Sequence, residues 1–463
     1  MNDRNRALLV LSLAAPIAGG GLVGCGPSPA PVDAGMSTPD APMMMGLDSG
    51  MRRDAGPTDD SFDGAREVTT DGMAVMDAIE VANDRDFWRF EGTAGDWVAI
   101  NTTANADDDP MMVDTVITLY DSTRTQIAEN DDRIPRGDTD SEIVIRLPST
   151  GTYYIEVQEF STWMPEDPPA PEGMGSFQYE LAVATLTDGG ALNIDGEAGD
   201  DAASAQALRF GGTGNNLAFV LGAMSDATDV DVYSFSVATM QQLLSVDIMP
   251  AGPDGYGSTR PAGRIWVTDM AGATIAGRVE PRGMMQDDLS PTLVPGSYLL
   301  WVDAGGGTAG ANDHYVLKAL LGEENPREAE TMPGANDMTA TAEALTVTDN
   351  MGVLRGYILA TLGASDVDIF SFDVPAGRQV NVFCGAQSSG SGVRGLSLQL
   401  LGPDGTSSLG MDTETATEGA AITEVMPAAA GTHYLRISAS SQDPEVTASF
   451  VRCGVALVTP TAM

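Results

Sequence analysis

Along most of this chain apolar and polar residues alternate in short runs, as in Val98-Ala99-Ile100, Ile143-Val144-Ile145-Arg146-Leu147, Tyr153-Tyr154-Ile155-Glu156-Val157 and Val380-Asn381-Val382. A period of two sends successive side chains to opposite faces of a strand. Short alternating runs divided by Gly, Pro, Asp and Ser turns predict an all-β sandwich architecture. Helical patterning is slight: the segments Ala202 to Leu208 and Ala340 to Leu345 are expected to form single helical turns or lead-in loops.

The strands recur in a fixed order. Asp84-Arg85-Asp86-Phe87-Trp88-Arg89-Phe90, Asp229-Val230-Asp231-Val232-Tyr233-Ser234-Phe235 and Asp366-Val367-Asp368-Ile369-Phe370-Ser371-Phe372 each place two aspartates at the start of an aromatic strand. Gly151-Thr152-Tyr153-Tyr154, Gly296-Ser297-Tyr298-Leu299 and Gly431-Thr432-His433-Tyr434 follow, at 65, 65 and 63 residues past the second aspartate. Between these landmarks stand Leu119-Tyr120-Asp121, Ile265-Trp266-Val267-Thr268-Asp269 and Leu400-Leu401-Gly402-Pro403-Asp404; the closing strands are read at Tyr179-Glu180-Leu181, Tyr315-Val316-Leu317 and Phe450-Val451-Arg452. An internal repeat of this length means tandem modules. Three tandem β-sandwich domains are expected at residues 57–188, 193–322 and 327–459, the first with a proline-rich insertion from Trp163 to Gly173.

The N-terminus has a different pattern. Arg4 and Arg6 precede an apolar stretch from Ala7 to Ala18, too short to span a bilayer. Residues 1–24 have the layout of a secretory signal peptide. Leu22-Val23-Gly24-Cys25 resembles the lipobox of bacterial lipoproteins, which makes Cys25 the expected lipidated first residue of the mature chain. Gly26 after that cysteine points to the outer membrane, facing the periplasm or the cell exterior. Residues 25–56, rich in Pro, Gly, Ala, Asp, Ser and Met, read as a disordered tether.

Charge narrows the functions. The 463 residues carry 23 basic and 66 acidic side chains, a net charge of -43, which excludes a phosphate-backbone binder and hence a nucleic-acid partner. Two histidines and three cysteines leave few nucleophiles or soft-metal ligands. His433 fills the strand position of Tyr153 and Tyr298, and His314 aligns with the polar strand residues Gln178 and Ser449. Neither has a second soft ligand at zinc spacing, and no Gly-x-Ser-x-Gly elbow occurs. The run from Gly305 to Gly310 lacks a phosphate-loop lysine and is expected to connect a hairpin. Outside the cytoplasm, Cys384 and Cys453 are expected to form a disulfide. Counted by alternation, Cys453 faces away from Phe450, so an inward Phe450 would require a bulge or an edge position for the sulfurs to meet.

Together the aspartate pair, Leu119-Tyr120-Asp121, Asn130-Asp131-Asp132 and the run from Leu147 to Val157 resemble the bacterial pre-peptidase C-terminal (PPC) domain. The first copy carries most of the pattern, whereas the other two lack the Asn130-Asp131-Asp132 segment. The resemblance implies a jelly-roll-like, non-catalytic β-sandwich of the kind appended to secreted proteases. Some family members bind calcium, a cation that takes six to eight hard oxygen ligands. The positions carried over are Asp84 and Asp86, Asp229 and Asp231, and Asp366 and Asp368. Lead-in partners are expected among Asp59, Asp60 and Asp63, among Glu197, Asp200 and Asp201, and at Asn336 and Asp337. The same aspartates equally suit turn capping by hydrogen bonds to backbone amides. The acidic loops Asp107-Asp108-Asp109 and Asn130-Asp131-Asp132, with Asp138 and Asp140, are a second cation site or a solvated face.

The expectation is therefore not an enzyme but an envelope lipoprotein, held at the membrane by its lipid. It displays sandwich modules that bind protein or glycan, with calcium as its cofactor and Trp163 and Tyr256 as aromatic contacts. The alternative is an accessory or targeting subunit for a separately encoded secreted protease or export system.

Overall fold

The computed structural model describes residues 59–460 apart from residues 80, 82, 105–112, 132–139, 165–176, 197–198, 200, 213–215, 240–241, 249–262, 280–288, 306–313, 324–333, 351–352 and 417. Cys25 and the tether lie outside the described residues, as do Asp107 to Asp109, Asp132, Asp138, Glu197, Asp200 and Tyr256. Among the described residues the fold is β throughout, with one helical turn at Phe160–Trp163 and a 3-10 turn at Gln387–Ser389.

Copy one contains β1 (Arg66–Glu67), β2 (Val75–Ile79), β3 (Arg85–Gly92), β4 (Trp97–Thr103), β5 (Thr115–Tyr120), β6 (Gln126–Asn130), β7 (Glu142–Arg146), β8 (Gly151–Glu159) and β9 (Phe177–Leu186). They form two sheets, ordered β1-β3-β8-β5-β6 and β2-β9-β4-β7. Copy two contains β10 (Leu192–Ile194), β11 (Gln206–Ala207), β12 (Leu217–Ala223), β13 (Val230–Val237), β14 (Gln242–Ile248), β15 (Arg264–Asp269), β16 (Thr274–Val279), β17 (Thr292–Leu293), β18 (Gly296–Asp303) and β19 (His314–Glu323). Its sheets run β11-β13-β18-β15-β16 and β10-β12-β19-β14-β17.

Copy three contains β20 (Glu343–Ala344), β21 (Thr348–Asn350), β22 (Val353–Thr361), β23 (Val367–Val374), β24 (Gln379–Gly385), β25 (Val393–Arg394), β26 (Ser397–Leu401), β27 (Ser408–Thr413), β28 (Ala420–Val425), β29 (Gly431–Ser438), β30 (Ser441–Gln442) and β31 (Phe450–Val458). Its main sheets are β20-β23-β29-β26-β27 and β21-β22-β31-β24-β28. In each copy the inward residues of both sheets make one core: Trp88, Ile100 and Tyr179 in the first, Tyr233, Val246 and Tyr315 in the second, Phe370, Val382 and Val455 in the third. Alternation along each strand produces this, since residues two apart share a face.

Neighbouring copies also pack on one another. Trp97, Ala99, Val144 and Leu186 on the outer face of copy one bury against Leu192, Phe219, Leu221 and Val316 of copy two. Residues Trp97 to Asn101 of β4 are accordingly buried on both faces. Copies two and three are joined by backbone hydrogen bonds: Gly277 N–H donates to Gly390 O at 2.6 Å, Thr447 N–H to Thr274 O at 2.9 Å and Ala448 N–H to Ile275 O at 3.1 Å.

The segments after Ala202 and Ala340 are lead-in turns, one of the two alternatives expected, and run into the two-residue strands β11 and β20, each of which pairs in parallel with the aspartate strand. Three expectations need correction. The connection through Gly305 is not a hairpin, because β18 and β19 belong to opposite sheets of the sandwich. Phe450 faces out of the copy-three core while Val451, Cys453 and Val455 face in, so Val451, not Phe450, corresponds to Tyr179. This inward face lets the disulfide form without a bulge: Cys384 and Cys453 are directly opposed on β24 and β31, with Cα atoms 4.1 Å apart. Finally, His314 is no ordinary polar strand residue; it is buried beside the first seam, edge-on to Trp97 with ring centroids 5.4 Å apart.

Candidate functional site

Each aspartate pair divides its labour. The first member sits where the turn enters the strand: Asp84 accepts from Arg85 N–H at 3.2 Å, Asp229 from Ser225 N–H at 2.5 Å, and Asp366 from Gly363 and Val367 N–H at 3.3 and 3.2 Å. The second member points into the sandwich, where Asp86, Asp231 and Asp368 are 0%, 2% and 0% exposed. A lead-in residue lies over each of these. Its carbonyl accepts from the residue after the buried aspartate: Phe87 N–H to Asp59 O, Val232 N–H to Gly199 O, and Ile369 N–H to Asn336 O, at 3.0, 2.8 and 3.0 Å. The position held by Asp59 in copy one is thus Gly199 in copy two and Asn336 in copy three.

Around Asp86 the chain assembles a polar cluster inside an apolar core. Asp59, Asp77 and Asp86, all buried, each offer a carboxylate oxygen, and these oxygens lie within 4.8 Å of one another. Arg66 Nε is 2.6 Å from Asp59, its Nη2 pairs with Asp77, and its guanidinium lies 4.1 Å over the Trp88 ring. Tyr179 donates its hydroxyl to Asp86 Oδ2 at 2.6 Å and accepts from Trp88 Nε1 at 3.1 Å. Burial pushes the Asp86 carboxyl up to about 8, helped by the charges of Asp84 and Asp59 and opposed by the Tyr179 hydroxyl and Arg66. Burial likewise raises the Tyr179 hydroxyl well above its ordinary range.

Copy two keeps the carboxylate-tyrosine contact, with Tyr315 donating to Asp231 at 2.7 Å and sharing a 2.7 Å hydrogen bond with Tyr233. Burial and the neighbouring charge of Asp195 raise the Asp231 carboxyl. The position of Asp77, opposite Tyr179, is occupied by Gly222 opposite Tyr315 and by Ala360 opposite Val451.

These donor sets can be compared with what calcium requires. In copy one, three buried carboxylates converge and Asp86 Oδ1 has no hydrogen-bond partner among the described residues, so the oxygens fit a hard cation. Arg66 is already an organic cation for two of them. In copy two Gly199 and Gly222 offer no side-chain oxygen; in copy three Asn336 offers a neutral amide oxygen in place of a carboxylate and Ala360 none, and among the described residues the three-carboxylate group forms in copy one alone.

The other expected ligands lie elsewhere. Asp60 and Asp337 are exposed, Asp63 pairs with Arg124 at the surface, and Asp201 caps its own turn through Ala203 and Ser204 N–H. Asn130 and Asp140 tie loops by accepting from Glu142 N–H at 2.8 Å and Ala104 N–H at 2.6 Å. His433 is fully buried with Nδ1 at 2.8 Å from Gly431 O, and Trp163 packs on Phe160. Sequence reasoning missed Arg66, Asp77 and Tyr179. Asp77 carried a signal, since alternation in β2 puts it on the face of Val75 and Ile79, where a charge needs a partner.

What the geometry defines is a series of β-sandwich modules, each opened by an aspartate strand whose second carboxylate is sunk into the core. Residues 84–159 and 366–439 match the family described as bacterial pre-peptidase C-terminal domain, and the chain carries this PPC domain in tandem copies. Copy two shares the strand order and the buried aspartate with the matched segments. No curated protein matches the chain.

Among solved structures, the tandem CBM51 modules of the family 98 glycoside hydrolase Sp3GH98 from Streptococcus pneumoniae SP3-BS71 align at 10% identity and a TM-score of 0.18, over 51% of this chain and 82% of that one. The M60 catalytic domain with CBM51-1 and CBM51-2 from Clostridium perfringens ZmpB aligns at 9% identity and a TM-score of 0.17, over 81% of this chain and 33% of that one. The CUB1-EGF-CUB2 domain of human MASP-1/3 aligns at 10% identity and 0.16, over 54% and 100%. Scores this low carry no argument about function.

Proposed function

We propose that this chain is a non-catalytic envelope lipoprotein, anchored through Cys25, whose PPC-like sandwiches form a fixed array that binds protein or glycan outside the cytoplasm. The observation that carries this reading is the pair of seams. The apolar contact of Trp97 with Phe219 and Val316, and the backbone bonds from Gly277 to Gly390 and from Thr447 to Thr274, hold each copy against the next. Modules packed this way present surfaces in a set arrangement. Both histidines are buried, and Arg66 pairs with two carboxylates of the acidic cluster.

Calcium, in this reading, binds copy one through Asp59, Asp77 and Asp86 and stiffens the module that follows the tether. No helix among the described residues is long and apolar enough to cross a membrane, and the anchor is assigned to lipid on Cys25. Two acyl chains suffice for stable attachment at about 0.8 kcal/mol per buried methylene.

The test follows the anchor and the face together. Labelled palmitate should enter the wild type and not Cys25→Ser, which should leave the membrane fraction, and protease added to intact cells should report whether the array faces outward. A Cys25→Ser protein that stays with membranes and keeps its label overturns the lipoprotein reading.

A further inference from the structure

The outer face of the aspartate-strand sheet differs between copies in a way that the buried carboxylates do not explain. In copy one that face carries Phe87, Tyr120 and Tyr154, and the lead-in loop lays Phe62 over them, with ring centroids 4.7, 5.0 and 5.3 Å away. Arg124 closes over the Phe62 ring at 5.1 Å. The face therefore takes a planar ring, and in copy one the chain supplies it from within.

In copy two the lead-in turn has the same shape, but Ala202 stands at the place of Phe62 and is exposed. Where copy one has Phe87, Tyr120 and Tyr154, copy two has Val232, Thr268 and Leu299, and beside them the same face carries two indoles. Trp266 on β15 and Trp301 on β18 are directly opposed in register, and their rings stack with centroids 5.6 Å apart and planes 9° from parallel. Both point away from the core, because Ile265, Val267, Leu300 and Val302 beside them point in. Trp266 is 6% exposed and Trp301 is half-buried, so Trp301 presents the open part of the pair. Trp301 Nε1 donates to Thr268 at 2.9 Å, which fixes the ring. The cross-strand pair on the same face is Arg264 and Asp303, joined in a fork by bonds of 2.9 and 2.5 Å. At the places of Trp301 and Trp266 copy one has Glu156 and Thr118, and copy three has Arg436 and Gln399. Indoles occur there in copy two alone.

We infer that the Trp266–Trp301 face of copy two is a binding site for a neutral polysaccharide. A fixed indole with a negative π face suits the polarised C–H face of a pyranose ring. Beside it the partly exposed guanidinium of Arg264 is held in a fixed orientation by buried Asp303, whose Oδ1 also accepts from Gly305 N–H, so the platform is bordered by one placed polar group of the kind small-ligand sites use. The net charge of -43 repels anionic chains and selects an uncharged one. This inference rests on the reading of the chain as a binding array and names the ligand class and the module.

Affinity electrophoresis of the full chain through gels containing a neutral β-glucan, a xylan or a galactomannan tests it, with Trp301→Ala and Ala202→Phe run beside the wild type. Ala202→Phe leaves both indoles in place and lays a ring over Val232, Thr268 and Leu299, of which Val232 is directly opposite Trp301, so it crowds the edge of the platform. The expected result is retardation of the wild type in at least one gel, an apparent affinity at least tenfold lower in both variants, and a change in indole fluorescence when the same polysaccharide is added to the wild type. Retardation that Trp301→Ala keeps overturns the inference, as does retardation kept by Ala202→Phe if Trp301→Ala does not fold; the glycan is then bound elsewhere and the array reading stands. No retardation of the wild type in any gel also overturns it, and retention on immobilised gelatin then decides whether the array binds protein instead.

Discussion

Gly222 stands opposite Tyr315 in the register that sets Asp77 opposite Tyr179, so the same cross-strand place holds a carboxylate in copy one and nothing beyond hydrogen in copy two. A β-carbon on Gly222 would fall 2.3 Å from Tyr315 Cζ and 2.4 Å from its hydroxyl oxygen. The ring has little freedom to yield, since that hydroxyl is tied to both Asp231 and Tyr233. Gly222→Ala is expected to destabilise copy two by about 1–3 kcal/mol through overpacking, read as a lower denaturation midpoint.

The buried Asp86 carboxyl gives a pH dependence of definite sign. Its folded-state value of about 8 lies above the 3.8 of an unperturbed aspartate, so the folded protein holds a proton that the unfolded chain releases. That contribution is full below about pH 4 and is lost as pH rises toward 8, with a slope of at most about 1.4 kcal/mol per unit. Denaturation midpoints of the metal-free protein measured across this window should fall with pH, and Asp86→Asn should flatten the fall. An unchanged slope in that variant would place the titrating group elsewhere.

Calcium and Arg66 compete for the same oxygens. Calorimetric titration is expected to show one site per chain rather than three, abolished by Asp59→Ala or Asp77→Ala. Arg66→Gln should bind calcium more tightly, because it frees two carboxylates. A rise in melting temperature with calcium should accompany the titration, following ligand linkage. Three equal sites would show that the lead-in substitutions Gly199 and Asn336 do not matter.

Cys384 and Cys453 close a loop across a sequence separation of 69 residues. Reduction, or Cys384→Ser with Cys453→Ser, should cost copy three about 4 kcal/mol by the loop-entropy relation. Copies one and two contain no cysteine in their sheets, so reduction should leave their unfolding unchanged.

Trp97 stands on the outer face of copy one, inside the apolar seam with copy two. Trp97→Ala removes a buried indole from the seam and is expected to cost about 3–5 kcal/mol. Calorimetry should then show the melting of copy one separate from that of copy two.

The strand order was legible because it is written three times, and each repetition checks the others. Within it, the inward aspartates could be named from the pairs, but their partners could not. Arg66 and Asp77 come from strands that no landmark aligned, and only the packing brings Asp77 beside Asp86 and Arg66 onto Asp59 and Asp77. Matching aromatic to aromatic aligned Phe450 with Tyr179, whereas burial follows alternation, and Val451 holds that place. The seams were hidden for a different reason. Ala99, Val144 and Phe219 read as ordinary core residues, and a strand buried on both faces has a nearly continuous apolar run whichever neighbour covers it.

In each copy the last strand to be made lies in the interior of its sheet: β9 between β2 and β4, β19 between β12 and β14, β31 between β22 and β24. A chain that emerges N-terminus first therefore carries, in every unfinished module, two strands with a gap between them and exposed edges on both sides. No module can zip up before its final strand arrives, and the long-range pairing makes that step slow. Folding must proceed in three discrete events, each triggered by the completion of a module, and a ribosome or channel that stalls just short of β31 leaves the third sandwich split while the first two are already closed.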